Sequence, residues 1–264
     1  MFSAVNKLLD IDEHHFPQEM FYLISESHND GSFFLHHFLT YYLKAGYNVV
    51  FVALVQSFAH YSCVAQKLGV NLNAFTQNGK LVFVEGLKLA LENLKTVDVT
   101  ENNPLSYLTS KDPKFSLKML YKMIESKICS LNEGHPYLMM IDDVSVFLSL
   151  GVSTVDIQDF LHYCQIAVFS PGRAGCMVIL VHADANDEDS DEELLQKMLM
   201  YKCDVQLHVT GLKSGYCRDV HGQIEVINHR VALTRGCPSE KIVQYKITNK
   251  DVLIFAPGNS TAVL

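Results

Sequence analysis

Residues 21–33 read FYLISESHNDGSF, and a strand, a tight loop and the start of a helix follow one another within this stretch. The apolar run Phe21–Ser25 predicts a short buried strand. From Ser32 to Ala45 apolar side chains recur at helical spacing, and Gly46 is a natural stop for that helix. In an open α/β sheet the ligand site lies at the carboxyl ends of the strands, so the loop after this first strand is where a functional site is expected.

The same alternation continues along the chain. Further strands are predicted at Asn48–Val55, Leu81–Val84, Tyr137–Ile141 and Cys176–Val181, and further helices at Ser57–Leu68, Leu87–Leu94, Phe115–Leu131, Asp156–Phe169 and Leu194–Tyr201. Strands separated by helices imply right-handed crossovers and a mainly parallel central sheet flanked by helices. Strands then dominate the end of the chain, at Val205–Val209, Gln223–Asn228, Val243–Thr248 and Val252–Phe255, which predicts antiparallel additions at one edge. We expect one α/β domain over residues 1–264, with an N-terminal extension at 1–20 and loops at 95–113 and 183–193.

Composition narrows the class of protein. The 264 residues are 48% apolar and carry a net charge of −8, which argues against a chain that grips nucleic acid alone through a basic surface. Seven carboxylates lie within residues 184–193, so the acidity is mostly local. This stretch could dock a basic partner, but a solvated loop is favoured. The seven cysteines form no C-x-x-C pair, and no signal peptide or membrane span is evident, so we expect a soluble intracellular protein.

The loop after the first strand has the frame of a phosphate-binding loop, G-x-x-x-x-G-K-[ST], without its chemistry. Glu26 takes the position of the first glycine and Gly31 that of the second. Ser32 replaces the phosphate-binding lysine, and Phe33 replaces the hydroxyl that would hold magnesium. Glu26 and Asp30 would repel a triphosphate. Two interpretations stay open: a nucleotide loop that has lost its ligand groups, and an ordinary strand-to-helix turn, which this loop alone favours.

A second candidate motif ends the predicted strand Tyr137–Ile141. Asp142 and Asp143 follow it directly, where an aspartate orients the magnesium shell in phosphate-loop enzymes. The alternative is that a buried strand simply ends in solvated or helix-capping aspartates. Because both candidate motifs stand where one fold would put them, together they are more specific than either alone.

Other candidate sites are weaker. The twelve histidines show no ligand spacing, so no metal site is expected. Lys111, Lys114, Lys118 and Lys122 would share one side of a helix and could contact RNA phosphates, although a solvated face is favoured. Arg218 could act on a neighbour's nucleotide, but a local pair with Asp219 in a hairpin is favoured.

Many segments, in order, make the chain resemble the Elongator complex protein 6 family. The resemblance runs from near Asp30 to Leu264. The segments that carry it are 30–33 (DGSF), 36–39 (HHFL), 51–54 (FVAL), 56–58 (QSF), 66–70 (QKLGV), 82–88 (VFVEGLK), 142–146 (DDVSV), 148–151 (LSLG), 159–164 (DFLHYC), 217–223 (CRDVHGQ) and 262–264 (AVL). Such an ordered set is far more specific than any single motif.

The resemblance implies a RecA-like fold, of the phosphate-loop NTPase type, whose nucleotide motifs are degenerate. It implies a non-catalytic accessory subunit that needs no cofactor and is cytoplasmic or also nuclear. Two further Elongator subunits of the same fold would join it in a hetero-hexameric ring, which binds and releases tRNA for the catalytic core that modifies the wobble uridine. Two other hypotheses are a divergent RecA-like ATPase and a pseudo-NTPase adaptor of DNA recombination machinery.

Overall fold

A computed structural model describes residues 2–11, 16–86, 88–89, 116–130, 135–172, 174–182, 190–212, 215, 217–231 and 237–257. Nine strands form one sheet in the order β3-β2-β4-β5-β1-β6-β7-β8-β9. The strands are β1 Met20–Ser27, β2 Asn48–Ala53, β3 Leu81–Glu85, β4 Tyr137–Ile141, β5 Gly175–His182, β6 Val205–Thr210, β7 Gly222–Asn228, β8 Ser239–Ile247 and β9 Val252–Phe255. From β3 to β6 all neighbours are parallel, and from β6 to β9 they are antiparallel. The predicted α/β architecture is confirmed.

Helices cover the sheet on two sides. The helices are α1 Ser3–Leu9, α2 Ser32–Lys44, α3 Phe58–Lys67, α4 Leu72–Gln77, α5 Ser116–Cys129, α6 Ser145–Ser149, α7 Thr154–Val168 and α8 Asp191–Met200. Apolar side chains of α1 to α4 share one buried cluster with one face of the sheet, and those of α5 to α8 share a second cluster with the other face. Strand β4, buried at every position, lies between the two clusters, as expected for a parallel strand covered on both faces.

Local signals explain where several helices begin. The hydroxyls of Ser57, Ser153 and Ser190 each accept a hydrogen bond from a backbone N–H in the first turn of α3, α7 and α8. Ser190 starts α8 three residues earlier than the apolar pattern predicts, because the acidic residues 191–193 form its first turn.

Three of the observed helices were not predicted from the sequence. Helices α4 and α6 span only six and five residues, too short to show an apolar period. Helix α1 lies within the expected N-terminal extension, and its Val5 is fully buried in the core. Most of the predicted helix Leu87–Leu94 and all of loop 95–113 lie outside the described residues, as does most of loop 183–193. No helix among the described residues is long and apolar enough to cross a membrane.

Candidate nucleotide cleft

Backbone N–H groups at the start of α2 bind two carboxylates of the chain, that of Glu26 in β1 and that of Asp30 in the following loop. The backbone N–H of Gly31 donates to Glu26 Oε2 over 2.7 Å, and that of Ser32 donates to Asp30 Oδ1 over 2.7 Å. The first N–H groups of a helix have no partner within the helix and form a natural anion site. Here the side chains of Glu26 and Asp30 fill that site.

Gly31 leaves little room in this loop. A Cβ at this position would lie 3.0 Å from Ile24 Cγ2 and 3.3 Å from Glu26 Oε2. The close packing keeps the Gly31 N–H beside the Glu26 carboxylate. Phe33, at the predicted hydroxyl position, is buried in the core and packs against Tyr245, with ring centres 5.1 Å apart and ring planes tilted by 38°.

Asn29 ties the loop to the antiparallel strands. Its Nδ2 lies 2.9 Å from the carbonyl oxygen of His221, 2.8 Å from Tyr245 Oη and 3.4 Å from the carbonyl oxygen of Thr210. Gly222 permits this contact, because a Cβ there would collide with the Asn29 amide. Asn29 was not predicted from the sequence, since its partners lie 181 to 216 residues further along the chain.

Asp142 has a structural role at the end of β4. Its carboxylate accepts hydrogen bonds from the backbone N–H groups of Leu54, Val55 and Gln56, at 2.5–3.3 Å, and from the hydroxyl of Tyr61 at 3.1 Å. These bonds fix the turn that leads from β2 to α3. The role of Tyr61 was not predicted, because its position gives no signal of this contact.

Asp143 has a different set of contacts. Its Oδ1 accepts from the backbone N–H of Ser145 over 2.8 Å, at the start of α6. The hydroxyl of Ser145 in turn donates to the carbonyl oxygen of His182 at the end of β5, 2.9 Å away. Asp143 therefore holds the first backbone N–H of a short helix from one residue before its N-cap, Val144.

The ends of β1, β2 and β4 enclose a cleft of about 270 Å³. Its lining includes Glu26, Asp30, Ser32, Asp142 and Asp143, so the structure brings these predicted site residues together. Burial raises the pKa of Glu26, and the nearby carboxylates of Asp30 and Asp143 raise it further. No lysine or arginine lines the cleft among the residues described. A triphosphate would meet carboxylates where it needs cations.

The other predicted candidates lie elsewhere. Lys118 and Lys122 are exposed on α5, and Lys118 lines a cavity of about 360 Å³ together with Asp156 and Asp159. Lys114 lies outside the described residues. Arg218 is exposed, and the carboxylate of its neighbour Asp219 pairs with Lys246 over 2.7 Å. Within the described part of the chain, no three His, Cys, Asp or Glu side chains are grouped so that they could hold a metal ion.

The chain is similar to known proteins of one family. The profile of a family described as "Elongation complex protein 6" matches residues 2–249. Elongator complex protein 6 of Danio rerio is 44% identical, and that of Homo sapiens 39% identical, each over the whole of both chains. That of Drosophila melanogaster is 27% identical over 90% of each chain.

A solved structure supports the fold alone. An uncharacterized protein from Pyrococcus horikoshii, crystallised with an unknown peptide, superimposes with a TM-score of 0.63 at 13% identity. The match covers 96% of this chain and 97% of that one. Together with the sheet order, it confirms the predicted RecA-like fold class.

Proposed function

The chain belongs to the Elongator complex protein 6 family, and on that premise we propose that it is a non-catalytic subunit of the Elongator complex. We propose that its RecA-like domain joins the two other accessory subunits of the same fold in a hetero-hexameric ring. The ring would bind tRNA and release it, and so support modification of the wobble uridine by the catalytic core.

The hydrogen bond from the Gly31 N–H to the Glu26 carboxylate is the observation that best supports a non-catalytic role for this chain. ATP hydrolysis in phosphate-loop enzymes depends on a lysine and magnesium that neutralise phosphate charge. Here the lysine position is Ser32, the hydroxyl position is the buried Phe33, and the donor at the helix start already binds a carboxylate. An ATPase of the assembled ring would therefore depend on other subunits.

The surface of α7 supports assembly with other chains. Val155, Tyr163 and Ile166 are each more than half exposed on this helix. Exposed apolar groups that cluster on one element are typical of protein–protein contacts. A ring of head-to-tail subunits needs two different contact faces on each subunit, so a second face is expected as well.

Tagged purification from cells tests the proposal. We expect native mass spectrometry to recover the other Elongator subunits with this chain, including an accessory assembly that holds two copies of it. Cells that express the tag alone provide the control. Recovery of the chain alone, or with DNA recombination proteins, would contradict the proposal and favour the adaptor hypothesis.

A further inference from the structure

One part of this acidic protein contains no acidic residue. Residues 31–84 hold no aspartate or glutamate, but they include Lys44, Lys67 and Lys80. The whole chain has a net charge of −8, so this is a local excess of positive charge in a negatively charged molecule. The segment forms α2, β2, α3, α4 and β3. Strands β3 and β2 are the first two at one edge of the sheet, α4 packs on β3, and α3 lies between α2 and α4.

The fold brings the three lysines to the same end of that edge, at the amino ends of the parallel strands. Lys44 ends α2 and Lys67 ends α3. The Lys44 Nζ lies 3.7 Å from the position of a Cβ at Gly69, in the turn that follows α3. Lys80 precedes β3, and its carbonyl oxygen accepts from the N–H of Val49 at the start of β2 over 2.8 Å. We call this group the lysine corner.

The charges of the lysine corner have no carboxylate partner among the described residues. Lys44 and Lys67 are exposed and Lys80 is half-buried, and none of the three forms an ion pair with a described residue. Other basic residues do have carboxylate partners, at Lys197–Glu193, Arg230–Asp204 and Lys246–Asp219. A lysine at a helix C-terminus is favoured by the helix dipole. That preference accounts for Lys44 and Lys67 but not for Lys80, nor for the missing carboxylates.

Exposed amides lie close to the lysines along the chain, and two of them, Asn71 and Asn78, also accept a backbone hydrogen bond through their oxygen atoms. The exposed amides around the corner are those of Gln66, Asn71, Asn73, Gln77 and Asn78. Unpaired lysines with interspersed amides and no carboxylates are what a phosphodiester backbone requires, because contacts to phosphate and sugar come from such side chains and do not depend on base sequence. The α5 lysines lack this setting, since Lys118 shares its cavity with Asp156 and Asp159.

We infer that the lysine corner is the surface through which this subunit contacts the phosphate backbone of a structured RNA. The inference rests on the proposed function, in which the assembly binds tRNA. It assigns that contact to the amino-end corner of the sheet, opposite the acidic cleft, and not to the lysine stripe on α5.

A charge-neutralising variant tests the inference in the complex reconstituted from this chain and the two other accessory subunits. Lys44→Gln/Lys67→Gln/Lys80→Gln removes three positive charges, and Lys118→Gln/Lys122→Gln/Lys127→Gln removes the same number from α5. The probe is a tRNA with uridine at the wobble position, titrated at several salt concentrations. We expect the corner variant to bind at least about tenfold more weakly at 0.1 M salt and the log–log salt slope to fall by about 2–3, because each lost phosphate contact lowers it by about 0.7–0.9. The α5 variant should bind like the wild type.

Each other outcome overturns a distinct claim. Equal affinity of the corner variant and the wild type, or equal weakening in the α5 variant, rejects the lysine corner. The reconstituted complex of the corner variant could dissociate while the melting temperature of the isolated chain stays unchanged. That result would show that the lysine corner is a protein interface and not an RNA contact. A wild-type complex that binds no tRNA rejects the proposed function itself, and the inference with it.

Discussion

Gly222 is the residue on which the Asn29 contact most directly depends. A Cβ at Gly222 would overlap the Asn29 amide and lie 2.5 Å from the carbonyl oxygen of Thr210. We expect Gly222→Ala to lower the free energy of unfolding by about 1–3 kcal/mol, the usual cost of overpacking. Gly211 provides the matched control, because no atom lies within 4 Å of its Cβ position. Urea unfolding of the two alanine variants measures the difference, and equal stabilities would contradict the described packing.

Asp142 offers a second prediction at this scale, because its burial and its bonds point to structure and not to catalysis. Asp142 is only 3% exposed, and removing its carboxylate leaves the N–H groups of Leu54, Val55 and Gln56 without their hydrogen-bond acceptor. We expect Asp142→Ala to lower the free energy of unfolding by about 3 kcal/mol. Asp142→Asn should lose less stability, since its amide oxygen can still accept hydrogen bonds from these backbone N–H groups. Urea unfolding measures both variants, and a loss below about 0.5 kcal/mol in the alanine variant would show that these bonds do not hold the turn.

Individual residues of the cleft were only partly predictable from the sequence. The sequence placed Glu26 and Asp30 in the loop after the first strand and Asp142 directly after another strand, and the carboxyl ends of parallel strands meet at one edge. The structure extends β1 to Ser27, so Glu26 lies within the strand. The sequence could not show that Glu26 turns back onto Gly31, since that depends on side-chain rotamers. It also gave no sign of Asn29, whose partners belong to strands distant in the chain.

At the scale of the element, α2 buries two neighbouring histidines in their neutral form. His37 is fully buried, and its Nδ1 accepts from the N–H of Phe2 over 3.2 Å. Burial lowers the pKa of His37 to about 3 and that of His36 to about 4. The unfolded chain binds protons at these sites near pH 6.5, whereas the folded chain does not until the pH is much lower. The contribution of these neutral histidines to the free energy of unfolding is therefore complete above about pH 6.5 and is lost as the pH falls below that value.

The expected loss is about 1.6 kcal/mol for each histidine between pH 6.5 and 5.0, because each imidazole is already half-protonated in the unfolded chain at pH 6.5. Urea unfolding at both pH values should show a smaller loss for His36→Gln/His37→Gln than for the wild type, a comparison that cancels the titration of all other groups. The exposed His162 provides the control variant, His162→Gln, with the wild-type dependence. NMR titration of the wild-type imidazoles gives an independent test: protonation of both rings near pH 6.5 would refute the prediction.

Elements with a strong period were predictable, and short ones were not. Strand β4 was predicted at its observed bounds because an unbroken apolar run of that length favours a buried strand. Asn71 caps α4 through its side chain, and neither α4 nor α6 is long enough to show an apolar stripe. Helix α1 packs on a strand from the far end of the chain, and no local pattern encodes that contact.

For the whole molecule, the distribution of charge predicts the response to nucleotide. Carboxylates gather at the carboxyl ends of the strands, where a RecA-like NTPase holds its phosphates, and the lysine corner lies at the opposite ends. We expect 1 mM magnesium–ATP to change the melting temperature of the isolated chain by less than about 1 °C. A ligand present at a hundred times its Kd would add about 2.7 kcal/mol and raise the melting temperature by several degrees. Glu26→Gln removes one negative charge from the cleft and keeps the shape of the side chain. Weak binding of magnesium–ATP would therefore be easiest to detect in this variant. A rise of several degrees in the wild type, absent when magnesium sulfate of equal ionic strength replaces magnesium–ATP, would revive the ATPase hypothesis.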